Sequence, residues 1–361
     1  MRMLLLTLGA LLALSACSAP EPAVEIPVFA DLDLVGYYHR EPRAWKADRF
    51  APHVSFTDAD GRERWLFEAY LFIEAHDPVR DLTMSVAPYG HSARKDSWED
   101  QLQLWLGAGG GVAELDKAFA AAAARIGDPP SKRRVVITVP DAIMLEHFAD
   151  KTSATKYWGT LDDGREVDFA AVEDQLAALY WYIDRARAMF AALDCRYLEL
   201  GGFYVVSEDL PVAFGETEAE TLNARYKRWE TIVPALSAYC HAAGQGLYWI
   251  PYHLAPGYKY WKRLGFDQVW MQPNYYWDLH TTEVHPFDKT LEAIKKYGMG
   301  MELEFEYSLV ESVMAVEKQG PDGAGKMVFT EADVPALRER LRDYMRRFQV
   351  DGLYGVAPLA L

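Results

Sequence analysis

The sequence predicts an α/β protein built as a (β/α)8 barrel, with its last helix missing or replaced, and three observations carry that expectation. Apolar runs of strand length recur eight times along the chain. Stretches of helical character separate most of them, so strand and helix alternate instead of forming blocks. The first run leads into Gly36-Tyr37-Tyr38-His39, which lacks the glycine-rich phosphate loop that a doubly wound sheet carries there. Strands joined by crossover helices run parallel, and eight such units fit a closed TIM barrel better than an open sheet.

In chain order, strands are expected at 33–38, 65–74, 134–141, 197–206, 246–253, 268–276, 299–307 and 352–358, each an apolar run bounded by turn residues. Helices are expected at 98–126, 169–193, 217–243, 286–297 and 331–348, with shorter ones at 45–50 and 258–264. Residues 107–111 hold four glycines in five positions, but without a preceding strand or a following Lys-Ser/Thr they read as a helix break. Asp58, Asp60, Gly61 and Glu63 imitate part of a calcium loop but lack its third acid and its glutamate at the twelfth position, so they read as a turn. The chain stops just after the eighth strand, which leaves the last helix absent or substituted by the N-terminal segment.

Residues 1–16 show the zones of a secretory signal, with Arg2 followed by an apolar core of about a dozen residues, shorter than the ~20 that span a bilayer. Leu14-Ser15-Ala16-Cys17 then resembles the lipobox of bacterial lipoproteins. That resemblance implies cleavage before Cys17 and acylation of its thiol and new amine, and several acyl chains anchor a protein stably where one does not. Ser18 in place of aspartate favours the outer membrane. Residues 17–30 form a proline-rich tether with little to bury, and 31–361 form one barrel domain.

The formal charge of −16 argues against a nucleic-acid partner, which would require a basic face. Cys195 and Cys240 are the thiols left after lipidation, and an oxidising compartment would permit them to pair. Oligomeric state is open, and neither a cofactor nor a metal is called for. His280 and His285 are separated, and no His-Glu-x-x-His or Gly-x-Ser-x-Gly occurs.

In a barrel of this class the site lies at the C-terminal ends of the strands. Polar and aromatic residues collect there: Tyr37, Glu74, Asp141, Tyr204, Glu208, Trp249, Tyr252, His253, Gln272, Asn274, Tyr275 and Trp277. Sugar rings pack on aromatic faces while their hydroxyls take a few placed polar partners, so these residues are the candidate substrate contacts. The seventh strand reads Met301-Glu302-Leu303-Glu304-Phe305-Glu306-Tyr307. A two-residue period puts the apolar set toward the helices and the carboxylates of Glu302, Glu304 and Glu306 toward the barrel interior.

Glycosidic hydrolysis uses two carboxyl groups across the scissile bond. Glu208 and the Glu302 to Glu306 set stand on opposite sides of the ring, an arrangement that resembles the large glycoside hydrolase clan whose acid/base follows strand four and whose nucleophile ends strand seven. On that resemblance Glu208 is the general acid/base and Glu304 the nucleophile, with Glu302 the next candidate and Glu306 bordering the loop. The clan usually has Asn before its acid, where this chain has Ser207.

The segments 65–74, Gly202-Phe203-Tyr204 with Glu208, Leu264-Gly265-Phe266-Asp267 with Gln272-Pro273-Asn274-Tyr275, and Gly300-Met301-Glu302-Leu303-Glu304 resemble the bacterial domain-of-unknown-function family 4855. The resemblance runs over nearly the whole mature chain and implies a glycosidase-like barrel in bacteria that use polysaccharides. The expectation is a lipid-anchored glycoside hydrolase, with a non-catalytic carbohydrate-binding lipoprotein as the alternative. A lyase for anionic sugars is a weaker third reading, with Arg40, Arg43 and Lys46 as its compensating cations.

Overall fold

The computed structural model describes residues 25–35, 45–77, 79–80, 82–85, 91–147, 153–212, 214, 228–275, 287–304, 331–350 and 359–360. Tyr37, Trp277, Glu306 and Cys17, and the expected strand at 352–358, lie outside these residues.

Eight parallel strands close into a barrel: β1 (Asp31–Val35), β4 (Ala69–Phe72), β5 (Arg133–Val139), β6 (Leu198–Val205), β7 (Gly246–Trp249), β8 (Gln268–Met271), β9 (Gly300–Glu302) and β10 (Leu359–Ala360). Neighbours in sequence are neighbours in space, and β10 closes the ring on β1 through Asp31 opposite Leu359. The helices α1 (Ala47–Val54), α2 (Lys95–Leu106), α3 (Gly111–Ile126), α4 (Val172–Ala192), α5 (Trp229–His241), α6 (Trp261–Leu264), α7 (Phe287–Tyr297) and α8 (Val334–Val350) lie between strands, as the sequence rhythm requires. The glycine-rich stretch does break a helix, separating α2 from α3. No helix among the described residues is long and apolar enough to cross a membrane.

Two elements differ from expectation. The expected strand at 65–74 is two pieces. Trp65 belongs to a hairpin of β2 (Ser55–Thr57) with β3 (Glu63–Trp65), and the barrel strand begins at Ala69. The hairpin turns at Gly61, with φ +76°, while the Asp58 carboxylate accepts the backbone N–H groups of Asp60 and Arg62, so the would-be calcium loop is a turn. Residues 27–30 are not slack tether. Phe29 is 4 % exposed and tilts against Tyr248, with ring centroids 5.0 Å apart. Its N–H donates to Gln268 Oε1, and Gln268 Nε2 donates back to its carbonyl. Tyr248 donates its hydroxyl to the Pro27 carbonyl, so this segment stoppers the N-terminal end of the barrel.

The wall has two faces. Leu32, Leu71, Val136, Tyr204, Tyr248 and Trp270 pack inside it, whereas Phe72, Ile137, Phe203, Trp249, Met271 and Met301 join the core shared with the helices. This is the period-two alternation of a barrel strand. Cys195 and Cys240 are both buried and not joined, and burial pushes each thiol up to about 12.

Candidate active site

The mouth at the C-terminal end of the strands is assembled from the exits of β6, β7, β8 and β9. On β6, Gly202 passes so near β7 that a Cβ there would lie 2.1 Å from the Gly246 carbonyl oxygen, so only glycine fits. Beyond β6 the chain is clamped to the β7 exit by Tyr252 N–H donating to the Glu208 carbonyl and Leu210 N–H donating to the Pro256 carbonyl. Leu254 and Asn274, after β7 and β8, hold φ of +49° and +52°. Non-glycine residues in this region store about 1–3 kcal/mol each, strain that concentrates at sites where loop geometry matters.

Glu208 is exposed at this mouth. Its carboxyl is nevertheless raised, first by the water that the surrounding rim displaces and then by Asp209 beside it. Asp209 is raised by the same loss of water. Across the ring, Met301 and Leu303 enter the helix-facing core, so Glu302 and Glu304 take the other side, as the alternation predicts. Glu302 is partly buried, with an enclosed Oε2 that has no hydrogen-bond partner. Burial lifts it well above the ordinary carboxylate range, and Glu304 and Glu208 add like charge.

Glu304 is more enclosed, at 5 % exposed. Tyr344 on α8 donates its hydroxyl to Oε2 at 2.7 Å, while Oε1 is buried with no partner. Burial pushes this carboxyl up to about 8 against the pull of Tyr344 and of the Asn274 and Tyr275 peptide N–H groups. Beneath the cluster, the buried Tyr204 hydroxyl is raised by burial and then by both Glu208 and Glu302. This one phenol of β6 feels both charges, so Glu208 and Glu302 are each within electrostatic reach of it.

Other expected contacts are placed elsewhere. Trp249 is fully buried on the helix side of the wall, stacked on Phe266 at 5.3 Å, and donates Nε1–H to the Ser207 carbonyl. It is a core residue and no sugar platform, because strand parity turns it outward. Asp141 is likewise withdrawn from the mouth. Both its oxygens accept from Arg228 Nη2 at 3.0 Å, and Ser207 Oγ donates to it. Ser207 is 2 % exposed and so is turned away from the mouth as well. Glu74 is 1 % exposed and caps the N–H groups of Ala75 and His76, a turn role in place of a substrate contact.

His253 is 8 % exposed, with Nδ1 paired to Thr290 Oγ1. Tyr275 is stacked on Phe287 at 4.9 Å, donates to Asp343 and lies under Arg340, so its ring packs the β8 exit against α7 and α8. Tyr204 sits inside the barrel at 2 % exposed, so its ring is no open platform for a sugar. Tyr252, Gln272 and Asn274 remain partly exposed at the β7 and β8 exits. Lys46, one of the cations a lyase reading needs, lies 3.8 Å from Glu114 of α3 on the outer layer.

Three participants were missed. Asp209 adjoins Glu208 and was visible in sequence. Tyr344 lies on a helix, and Arg228 precedes one, so a search of strand exits passes over both. Among the described residues no group of three or more His, Cys, Asp or Glu is placed to hold a metal ion.

Fold and mouth together define a (β/α)8 barrel with a carboxyl cluster at the C-terminal ends of its strands. The chain matches the family described as a domain of unknown function (DUF4855) over residues 32–319, and it belongs to that family. The matched span includes Glu208, Glu302 and Glu304 and stops before the helix that carries Tyr344. No curated protein and no solved structure matches the chain.

Proposed function

We propose that this protein is a glycoside hydrolase, exported and anchored by lipid on Cys17; what supports the reading is the pair of raised carboxyls at the β6 and β9 exits, Glu208 and Glu302, both of which act on the buried Tyr204. A glycosidase needs one carboxyl that holds a proton to give to the leaving oxygen and a second that attacks or activates water. Glu208, open to the mouth, suits the acid/base. Glu302 suits the nucleophile better than Glu304, because Glu302 ends its strand and is partly accessible, whereas Glu304 is enclosed and tied to Tyr344. Gln272, Asn274 and Tyr252 supply partners for sugar hydroxyls.

Glu208→Gln and Glu302→Gln should each lower turnover by at least about a hundredfold, the scale of a lost acid or base, with glycan binding retained. Full turnover in both variants would refute the assignment of these two carboxyls, and glycan binding by the wild type without any turnover would refute the hydrolase and leave the carbohydrate-binding reading. The anchor is tested separately: a clickable fatty acid fed to expressing cells should label the wild-type chain and not Cys17→Ser.

A further inference from the structure

The chain that follows Cys17 joins the barrel at the end opposite the mouth. Phe29 is fixed on Tyr248 and Gln268, Ala30 N–H donates to Glu68 Oε2, and Asp31 Oδ1 accepts the Glu68 N–H, all at the N-terminal ends of the strands. Twelve residue steps lead from Cys17 to Phe29. Fully extended, such a length reaches at most about 43 Å. A folded chain the size of residues 31–361 has a radius of gyration of about 20 Å and so measures about 50 Å across. Turning the mouth onto the bilayer would lift the barrel floor about that far above it, beyond what the tether can span.

The floor itself has a surface suited to lipid. Val28, next to Phe29, is 68 % exposed, and Phe56, on the β2–β3 hairpin that leads into β4, is 43 % exposed. The other large apolar side chains exposed among the described residues, Val79 beyond β4 and Met345 on α8, stand apart from these and from each other, as single exposed apolar residues ordinarily do. Charges at the floor are matched: Arg64 with Asp58, Arg125 with Glu63 and Arg134 with Glu199. A chain of formal charge −16 is repelled by anionic headgroups, but this end meets them with its charges paired. Resting on the lipid anchor proposed above, we infer that the N-terminal end of the barrel lies on the leaflet that holds Cys17, with Val28 and Phe56 in the lipid interface, and that the mouth opens to the water on the far side. A glycan therefore reaches Glu208 and Glu302 from the aqueous side, and the headgroups of the anchoring leaflet are out of reach.

The experiment uses the full-length lipidated protein in vesicles of phosphatidylethanolamine and phosphatidylglycerol that carry an acceptor dye on a lipid headgroup. A donor dye is placed on Asp60→Cys, at the tip of the floor hairpin, or on Val79→Cys, in the loop that leaves β4 at the mouth. Cys195 and Cys240 are buried and do not take the reagent. Flotation with the vesicles establishes first that the chain is anchored. Energy transfer from the Asp60 position should then exceed that from the Val79 position at least about twofold, because the two labels are separated by much of a domain about 50 Å across. Val28→Ser combined with Phe56→Ser should lower transfer from the Asp60 position while flotation is kept.

Equal transfer from the two positions in floated protein, or greater transfer from the Val79 position, would overturn the orientation and leave the anchor and the hydrolase standing. Unchanged transfer from the Asp60 position in the serine pair would overturn the contact of Val28 and Phe56 with lipid. Should the serine pair fail to fold, the two labelled positions decide alone. Protein that does not float with the vesicles would sink the anchor and the orientation together.

Discussion

Tyr344, fully buried on the last helix, donates its hydroxyl to Glu304 Oε2 at 2.7 Å and so ties α8 to the exit of β9. The bond gives a carboxyl that is short of water one fixed donor. It also joins the family-matched span to a helix beyond it. Phe287 and Tyr275 pack edge-on to the Tyr344 ring at 5.1 and 5.6 Å, which fixes the direction of the hydroxyl.

Tyr344→Phe removes that donor and keeps the ring. Glu304 should then titrate above its present value of about 8, since Tyr344 is what opposes burial most strongly. Stability at neutral pH should fall by about 1–3 kcal/mol, the cost of a buried acceptor left unpaired. Carboxyl titration followed by isotope-edited infrared spectroscopy and urea unfolding would check the two parts, and an unmoved pKa would contradict the assignment.

The cluster also sets a pH dependence of stability. Glu304 is raised in the fold from 4.5 to about 8. Between those values the folded state holds a proton that the unfolded chain has lost, so stability is full below about 4.5 and declines as pH rises toward about 8. Glu302 acts in the same direction. Glu304→Gln should flatten this decline in urea midpoints measured across the range, and a profile as steep as wild type would argue against a raised Glu304.

Much of the fold was legible because barrel strands obey one local rule. In β9 the alternation of acid and apolar residue carried the inside and outside assignment of Met301, Glu302 and Leu303 without any tertiary information. The same parity, applied to β7, would have turned Trp249 outward once Tyr248 was known to face in. Proximity to a strand exit was the wrong criterion for that residue. Trp65 was misassigned because its apolar neighbours run on into β4 with Glu68 alone between them, and the turn at Gly61 is what marks the hairpin. The Asp141 to Arg228 pair spans 87 residues, and no spacing rule reaches that far.

That pair carries its own prediction. The two side chains are 2 % and 5 % exposed, so each neutralises a charge the other could not leave alone. Arg228→Met should destabilise the protein by about 3–5 kcal/mol by leaving Asp141 uncompensated. Adding Asp141→Leu should restore much of the loss. Equal instability in the single and double variants would show that Arg228 acts through packing on Trp229, whose ring lies 4.4 Å away, and not through charge.

The stopper at the barrel floor can be weighed in the same way. Phe29→Ala opens a cavity beside Tyr248 and should cost about 3–5 kcal/mol, as for other buried aromatic truncations. The change lies at the opposite end from the carboxyl cluster, so glycan binding by the folded variant should be unaltered. A surface tether would show neither the loss of stability nor any dependence on ring size in Phe29→Leu, which should fall between the two.

Stereochemistry tests the choice of nucleophile. If Glu208 and Glu302 attack and protonate directly, their carboxyl groups must close to roughly 5–5.5 Å around the sugar, and the product retains its anomeric configuration. An inverting enzyme leaves about 6.5–9.5 Å to admit water. Alternate residues on one strand lie about 6.5–7 Å apart, so exchanging Glu302 for Glu304 changes the gap by enough to move between the two classes. Proton NMR of the first-formed sugar should therefore show retention in the wild type. In a Glu302→Ala variant supplied with azide, which can enter the vacated space, a glycosyl azide of inverted configuration should form. Inversion in the wild type would remove Glu302 as nucleophile and recast it as the base that activates water.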